Sequence, residues 1–200
     1  MQTDEKVTSV SQGNNFKTYS VGDEFCLENE CFYVIKDNGT TVDAFAKQNV
    51  NTKTYRQDSN ANTLAFAKKT NGSHGYWADS VGNLLSKYGT KYPANVYDNN
   101  SLLYVPVQNY KTYLKNTLGK TSIDARLITY EELIGLGCSR MTCKSAPSWV
   151  YSTGYWSASA SSDGSVWLVD SSLGTFGGIG FDYSRDYGLR PVITISKSDI

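Results

Sequence analysis

Three short runs in the last quarter of the chain constrain its fold more than any other feature. They are Gly154-Tyr155-Trp156-Ser157-Ala158-Ser159-Ala160, Ser165-Val166-Trp167-Leu168-Val169-Asp170 and Gly188-Leu189-Arg190-Pro191-Val192-Ile193. Their aromatic and β-branched content reads as strands. The sequence between them is polar, built of Ser, Gly and Asp with isolated aromatics, and contains no lysine from Val150 to Arg190. Firm anchors around exchangeable filler suggest a binding face carried on a rigid mount.

The whole chain has 200 residues, 40% of them hydrophobic, which is enough to build a real core. Its 19 basic and 19 acidic side chains cancel. A neutral chain of this kind has no electrostatic footprint for DNA, RNA or an anionic membrane surface, so no nucleic-acid partner is expected. No apolar run approaches the roughly 18 residues that span a bilayer, so no direct membrane insertion is expected. The start, Met1-Gln2-Thr3-Asp4-Glu5-Lys6, is polar and shows no secretory signal. Tyrosine is the compositional outlier, with 15 copies against one histidine. Its flat, amphipathic ring suits recognition surfaces, and it is equally at home in sheets.

The four cysteines form two local pairs, Cys26/Cys31 and Cys138/Cys143, each C-x4-C. Zinc ribbons use tighter spacing, so two disulfides are favoured over an all-cysteine metal site. Disulfides imply an oxidising compartment. Loops this short limit the unfolded chain by roughly 2 kcal/mol each at most, so their main work is local geometry.

Residues 1–17 read as a tail or linker, with an edge strand around Val7 to Val10 as the alternative. From Tyr19 the pattern sharpens into a meander. Val21 to Leu27 and Cys31 to Ile35 form a hairpin around Glu28-Asn29-Glu30, and Asn38-Gly39 turns the chain into Thr41 to Ala46. Asn62 to Ala67 is a candidate short strand. Trp77, Val81, Leu84, Leu85 and Tyr88 share a helical face that stops at Gly89. Tyr92 to Leu103 reads as a loop. A second helix is predicted over 107–118, with Val107, Tyr110, Leu114 and Leu118 inward and Gly119 at its end. Ala125 to Ile128 is extended. Thr129-Tyr130-Glu131-Glu132 is a capping box that opens a short helix ending at Gly137. After Trp149 the chain reads as strands and loops.

Catalytic constellations are thin. His74 lies in a flexible Gly-rich turn, and no nucleophile-elbow sequence supports a serine triad. Glu131 and Glu132 sit where a helix dipole favours acids. The Gly-rich segment 174–180 has neither the lysine nor the following helix of a phosphate loop. The expectation is a chain with no enzyme activity, no catalytic residue, no metal site and no cofactor.

The motifs carry a family resemblance. Arg126-Leu127-Ile128-Thr129-Tyr130-Glu131-Glu132-Leu133 resembles the R-L-P-T-x-E-E-L/W segment of the C-type-lectin-like fold, with Ile128 in place of proline. That segment belongs to the formylglycine-generating enzyme group and to the C-terminal domains of bacterial collagen-like adhesins. Tyr155-Trp156-Ser157-Ala158-Ser159, the Trp167-x-Val169 strand and Gly188-Leu189-Arg190-Pro191-Val192-Ile193 resemble that fold's closing elements in the same order. The overlap covers about residues 105–196. The opening segment, Val21 to Ala46, resembles surface proteins of Gram-positive gut bacteria that pair such a start with a G-x-R-P-V-I end behind a pilin-like leader. The same fold carries the variable proteins of diversity-generating retroelements, in which a segment just before the closing G-x-R is exchanged. Asn is absent after Asn116 here, and 157–187 is dense in Ser, Gly, Asp, Tyr and Phe. That composition fits a diversified segment and fits ordinary loops. The E-P-N, Q-P-D and W-N-D motifs of calcium-dependent sugar binders do not occur. The C-x4-C pair of the formylglycine-generating enzymes lies close to the closing strand, whereas Cys138 and Cys143 come some fifty residues earlier. Neither activity is therefore carried over.

The expected fold is α+β, of C-type-lectin-like type, with two or three helices packed on a twisted antiparallel sheet. Residues 18–200 form one domain that opens with the meander. Trp156, Trp167, Val169, Val192 and Ile193 are expected in the core, and alternation puts Val166, Leu168 and Asp170 on the other face. Arg190 is expected to serve the frame by satisfying buried carbonyls or a carboxylate. The expected ligand-binding residues are Ser157, Ser159, Ser161, Asp163, Ser165, Leu168, Asp170, Phe176, Asp182, Tyr183, Arg185, Asp186 and Tyr187, with packing on the adjacent strand as the alternative for Tyr183 and Tyr187. The expected function is non-catalytic display of a binding face, diversified or not, by a bacterial or phage surface protein outside the cell. Its partner would be a protein or glycan ligand. The alternative is a structural pilus or appendage subunit.

Overall fold

The computed structural model describes residues 16–61, 93–95, 97, 101, 103–162, 165–172, 174–180 and 187–200. The first strands in chain order are β1 (Glu24–Leu27), β2 (Glu30–Asp37), β3 (Thr41–Ala46), β4 (Val50–Asn51), β5 (Arg56–Gln57) and β6 (Ala94–Asn95). Helix α1 (Tyr104–Thr117), β7 (Ile123–Leu127) and α2 (Tyr130–Gly135) follow. The chain then adds β8 (Tyr155–Ser162), β9 (Ser165–Asp170), β10 (Thr175–Gly180) and β11 (Pro191–Ser196). The larger sheet has the order β1-β2-β3-β11-β7 and the smaller β10-β9-β8-β6, while β4 and β5 pair with each other. The named strand pairs are antiparallel.

The meander forms where the sequence places it. Cys26 stands opposite Cys31 in the first hairpin and is bonded to it. Glu28 takes a left-handed φ of 55° in the turn, and Gly39 takes 87° in the next. The Asp37 carboxylate holds that second turn by accepting from Gly39 N (2.8 Å) and Tyr19 N (2.8 Å), and it pairs with Lys197 at 2.7 Å. These contacts, with the Lys197 bond first, hold the Asp37 carboxyl down at about 2.

Helix α1 starts at Tyr104, earlier than the apolar period indicates. Pro106 suits a first turn, and Ser101 accepts from Leu103 N through its hydroxyl (3.2 Å) and from Tyr104 N through its carbonyl (3.0 Å). Val107, Tyr110 and Leu114 are buried and Leu118 packs partly against the core, as the period predicts. Helix α2 opens with the expected capping box: Glu132 N donates to Thr129 Oγ1 (3.2 Å) and Thr129 N to Glu132 Oε2 (2.9 Å). The same carboxylate accepts a two-pronged Arg126 guanidinium at 2.6 and 2.8 Å, so Glu132 is occupied by structure. Gly137 follows α2 at φ 103°, where a side chain would strain the backbone and crowd Ala146.

Two differences from the sequence reading stand out. Ala94 and Asn95, expected in a loop, pair with Ala160 and Ser159 as β6, a strand too short to show alternation. Val150 and Tyr151, expected as strand or loop, end a 3-10 turn that spans Ser148–Tyr151. The candidate strand at 62–67, the helix at 77–88, His74 and the tail through residue 15 lie outside the described residues.

Two apolar cores lie among these elements. One joins Phe32, Val34, Val42 and Ala44 to α1 through Val107, Tyr110 and Leu114, and takes in Trp156, Val166 and Leu168. The other joins Phe45 and Val192 to α2 through Leu133, and takes in Tyr155, Val169, Phe176 and the second disulfide, Cys138–Cys143. The centre of the larger sheet is therefore buried on both faces, with β3 buried from Val42 to Ala46. Glu30 is a buried carboxylate beside the first core; it accepts from Tyr110 Oη (2.9 Å) and Gln57 N (3.0 Å). Burial raises its pKa against the opposing pull of those donors and Arg56.

Arg190 is wholly buried, and its role is the structural one expected. Its Nε donates to Ala46 O (2.6 Å) and its Nη1 to Val150 O (3.3 Å), and its guanidinium lies 4.1 Å from the Phe45 ring centroid. It finds carbonyls and no carboxylate among the described residues, and Nη2 has no partner. Burial pushes the guanidinium down to about 10, which still leaves it charged at neutral pH. The architecture is α+β, with two helices packed against open antiparallel sheets, the general arrangement of a C-type-lectin-like domain.

Candidate functional site

The smaller sheet is buried at β8 and opens toward β10. Along β9, Val166 and Leu168 face the first core while Val169 faces the second. Alternation holds, but Val166 and Leu168 are covered, and the strand opens to solvent at Trp167 instead. The expected core position of Trp167 and the expected surface position of Leu168 are thus both corrected. Val166 and Leu168 belong to the same buried cluster as Val107, Tyr110 and Leu114 of α1, so the face that the sequence left free is part of the core.

Trp167 is half-buried in an aromatic cluster. Its ring centroid lies 4.7 Å from Phe176 and 4.8 Å from Tyr130, and Tyr130 stacks on Phe176 at 5.4 Å. The indole N–H is buried and has no partner among the described residues, an arrangement that costs about 1–3 kcal/mol in a folded protein. Trp167, Tyr130, Ser161, Gly177 and Gly178 line a depression of about 560 Å³, with Arg140, Met141 and Pro93 at its rim. Gly178 keeps the floor low, since a Cβ there would collide with Ser161 Oγ.

The rim is held by the second disulfide. Cys138 and Cys143 close a loop whose Met141 N donates to Phe176 O (3.0 Å) and whose Cys143 N donates to Gly174 O (2.8 Å). Met141 takes a φ of 84° there and is 69% exposed, the most of the large apolar side chains described. Arg140 is exposed and, among the described residues, makes no ion pair. Neither Arg140 nor Met141 stood out in the sequence; the one signal was the C-x4-C pair that displays them.

The structure divides the expected binding residues. Ser161, Ser165 and Asp170 are partly exposed, and the first two share the Trp167 side of the sheet, where a Cβ on Gly178 would meet both. Ser157, Ser159, Leu168, Phe176 and Tyr187 are buried. Ser157 Oγ accepts from Ser159 N (3.2 Å), and Ser159 Oγ accepts from Tyr130 N (3.0 Å), tying β8 to α2. Tyr187 packs edge-on against Trp156 at 5.1 Å and donates to Asp170 Oδ2 (3.3 Å), so the packing alternative describes it. Asp163, Asp182, Tyr183, Arg185 and Asp186 lie outside the described residues.

A second recess, of about 610 Å³, lies between β2 and the 3-10 turn and is lined by Tyr33, Trp149, Tyr151, Lys47 and Glu24. Its cation is already satisfied: Lys47 pairs with Glu24 at 2.7 Å and lies 4.8 Å from the Tyr33 centroid, while Tyr33 stacks on Trp149 at 4.7 Å. The first depression keeps an unpaired cation and is the better candidate. Among the described residues no three of His, Cys, Asp and Glu come together as metal ligands, and no helix is long and apolar enough to cross a membrane. The chain matches no family model, no curated protein and no solved structure.

Proposed function

We propose that the chain is a non-catalytic recognition domain of a bacterial or phage surface protein, and that segment 157–187 with the 138–143 loop presents its binding face. The ligand class is a protein or a glycan met outside the cell, a setting that suits two disulfides and no free thiol among the described cysteines. The resemblance of the closing motifs to C-type-lectin-like surface proteins supports this reading. One observation carries it: the Trp167 depression, floored by aromatics and glycine and rimmed by Met141 and an unpaired Arg140. Aromatic and arginine side chains on a fixed support are what binding hot spots use.

The test is a yeast-displayed library with Arg140, Met141, Ser161 and Ser165 randomised together. It is sorted for folded display and then selected against hen lysozyme and against a panel of immobilised glycans. Most variants should display as well as the parent, and binders should lose their target when the four parental residues are restored. Loss of folded display in most variants, or binders whose affinity survives restoration, would overturn the reading. Concentration-dependent assembly of the purified chain into filaments would instead favour the appendage-subunit alternative.

A further inference from the structure

Among the described residues the binding face has a strand edge unpaired beyond Phe176, and the geometry points to its occupant: an extended, acidic segment of a partner protein that adds to the smaller sheet beside β10. This inference rests on the recognition reading above and names the ligand class for it.

Strand β10 is the last strand of its sheet and pairs on one side with β9. Its other side is taken up only at the start. Cys143 N reaches Gly174 O and Met141 N reaches Phe176 O, so the disulfide loop runs antiparallel to β10 and engages alternate residues. Continuing that alternation, the next outward backbone groups belong to Gly178 and Gly180. The loop does not follow them. Ser139 bridges back to Thr142, and Met141 at φ 84° turns the chain away. Among the described residues no strand pairs with β10 beyond Phe176 on that side.

Exposed edges are normally guarded by charge, proline or a bulge. Segment 175–180 has no charged residue and no proline, and its register with β9 is unbroken. Three of its six residues are glycine, so the approach to the backbone is unobstructed. The depression lies beside this edge, with Gly177 and Gly178 in its wall. A strand laid along β10 would send alternate side chains over Trp167 and Tyr130. Among the described residues that line the depression the one charged side chain is Arg140, and Lys144 crowds the space over Gly174 on the same edge. Neither makes an ion pair among the described residues. Charge complementarity therefore selects an acidic segment, whose carboxylate would meet Arg140 while its backbone meets Gly178 and Gly180.

A phage library of random linear octapeptides, panned against the full disulfide-intact chain, supplies the probe. Enriched sequences should be β-prone and acidic. Methylating alternate backbone amides of a synthesised hit should weaken it roughly tenfold or more, because each lost N–H forfeits a strand bond. Arg140→Glu, at an exposed side chain that makes no ion pair among the described residues, should weaken it several-fold while leaving the melting curve unchanged. Three results would overturn the inference: no enriched sequence, hits indifferent to N-methylation in every amide register, or a chain that self-associates through β10 and excludes the peptides. If panning fails while the randomised-face library still yields binders, only the peptide class is lost. If both fail, the recognition face itself is refuted.

Discussion

The larger and smaller sheets are built from similar strands and are covered very differently. In the larger sheet the central strands bury both faces: Ala44 looks into the α1 core and its neighbour Phe45 into the α2 core. In the smaller sheet β8 is just as buried, yet two strands away Gly178 is exposed. Helix α1 packs on β7 and α2 on β8, and among the described residues the disulfide loop reaches β10 only as far as Phe176. A fold can thus keep one sheet intolerant of change and let the outer edge of the next vary.

The comparison can be broken most directly at Phe45. Phe45→Ala should destabilise by about 3–5 kcal/mol in chemical denaturation, since its ring fills a closed site against Tyr155 and Arg190. A loss no larger than that from changes near Trp167 would erase the distinction. Next is Arg190→Ala, expected to cost about 2–4 kcal/mol through lost packing and the orphaned Ala46 carbonyl. Arg190→Met should recover roughly half of that by also removing a buried charge that has no counterion. On the smaller sheet, Trp167→Phe should change stability by less than about 1 kcal/mol, because lost aromatic area is offset by deleting a buried, unpartnered N–H. Met141→Ala should stay within about 0.5 kcal/mol and leave the melting curve superimposable.

Acid sharpens the same contrast. The Asp37 carboxyl is held down at about 2 in the folded chain, from an ordinary 3.8. Its contribution is therefore complete above about pH 4 and is lost as pH falls through about 2. The Lys197→Met variant should be less stable than the parent at pH 6, and the gap should close by pH 2. A gap independent of pH would mean that the pair does not couple the closing strand to the first hairpin.

Local chemistry explains which parts could be read early. The turns at Glu28 and Gly39, the Thr129 capping box and the α1 stripe each depend on residues within a few positions of one another, and all were legible. Strand alternation in β9 was also legible. Which of its faces would be open was not, because that depends on residues far away in sequence: Leu168 shares its core with Phe32 and Val107. Leu168 looked available for this reason and is buried. Ser157 and Ser159 looked exposed and instead accept from backbone N–H groups, Ser157 from Ser159 within β8 and Ser159 from Tyr130 of α2. Strand β6, of two residues, had no period to detect.

By itself the sequence determined the meander, the capping box and the cysteine pairs, because turn chemistry and short-range cross-links need no distant partner. The α+β class and the structural service of Arg190 were expected from the resemblance of the closing motifs, and Arg190 meets its carbonyl on Ala46, 144 residues away. Only the tertiary structure decided where the face lies. Burial is a property of what packs on a residue, so Leu168 went into the core that α1 also enters, while among the described residues the disulfide loop engages β10 only as far as Phe176, beside the Trp167 depression.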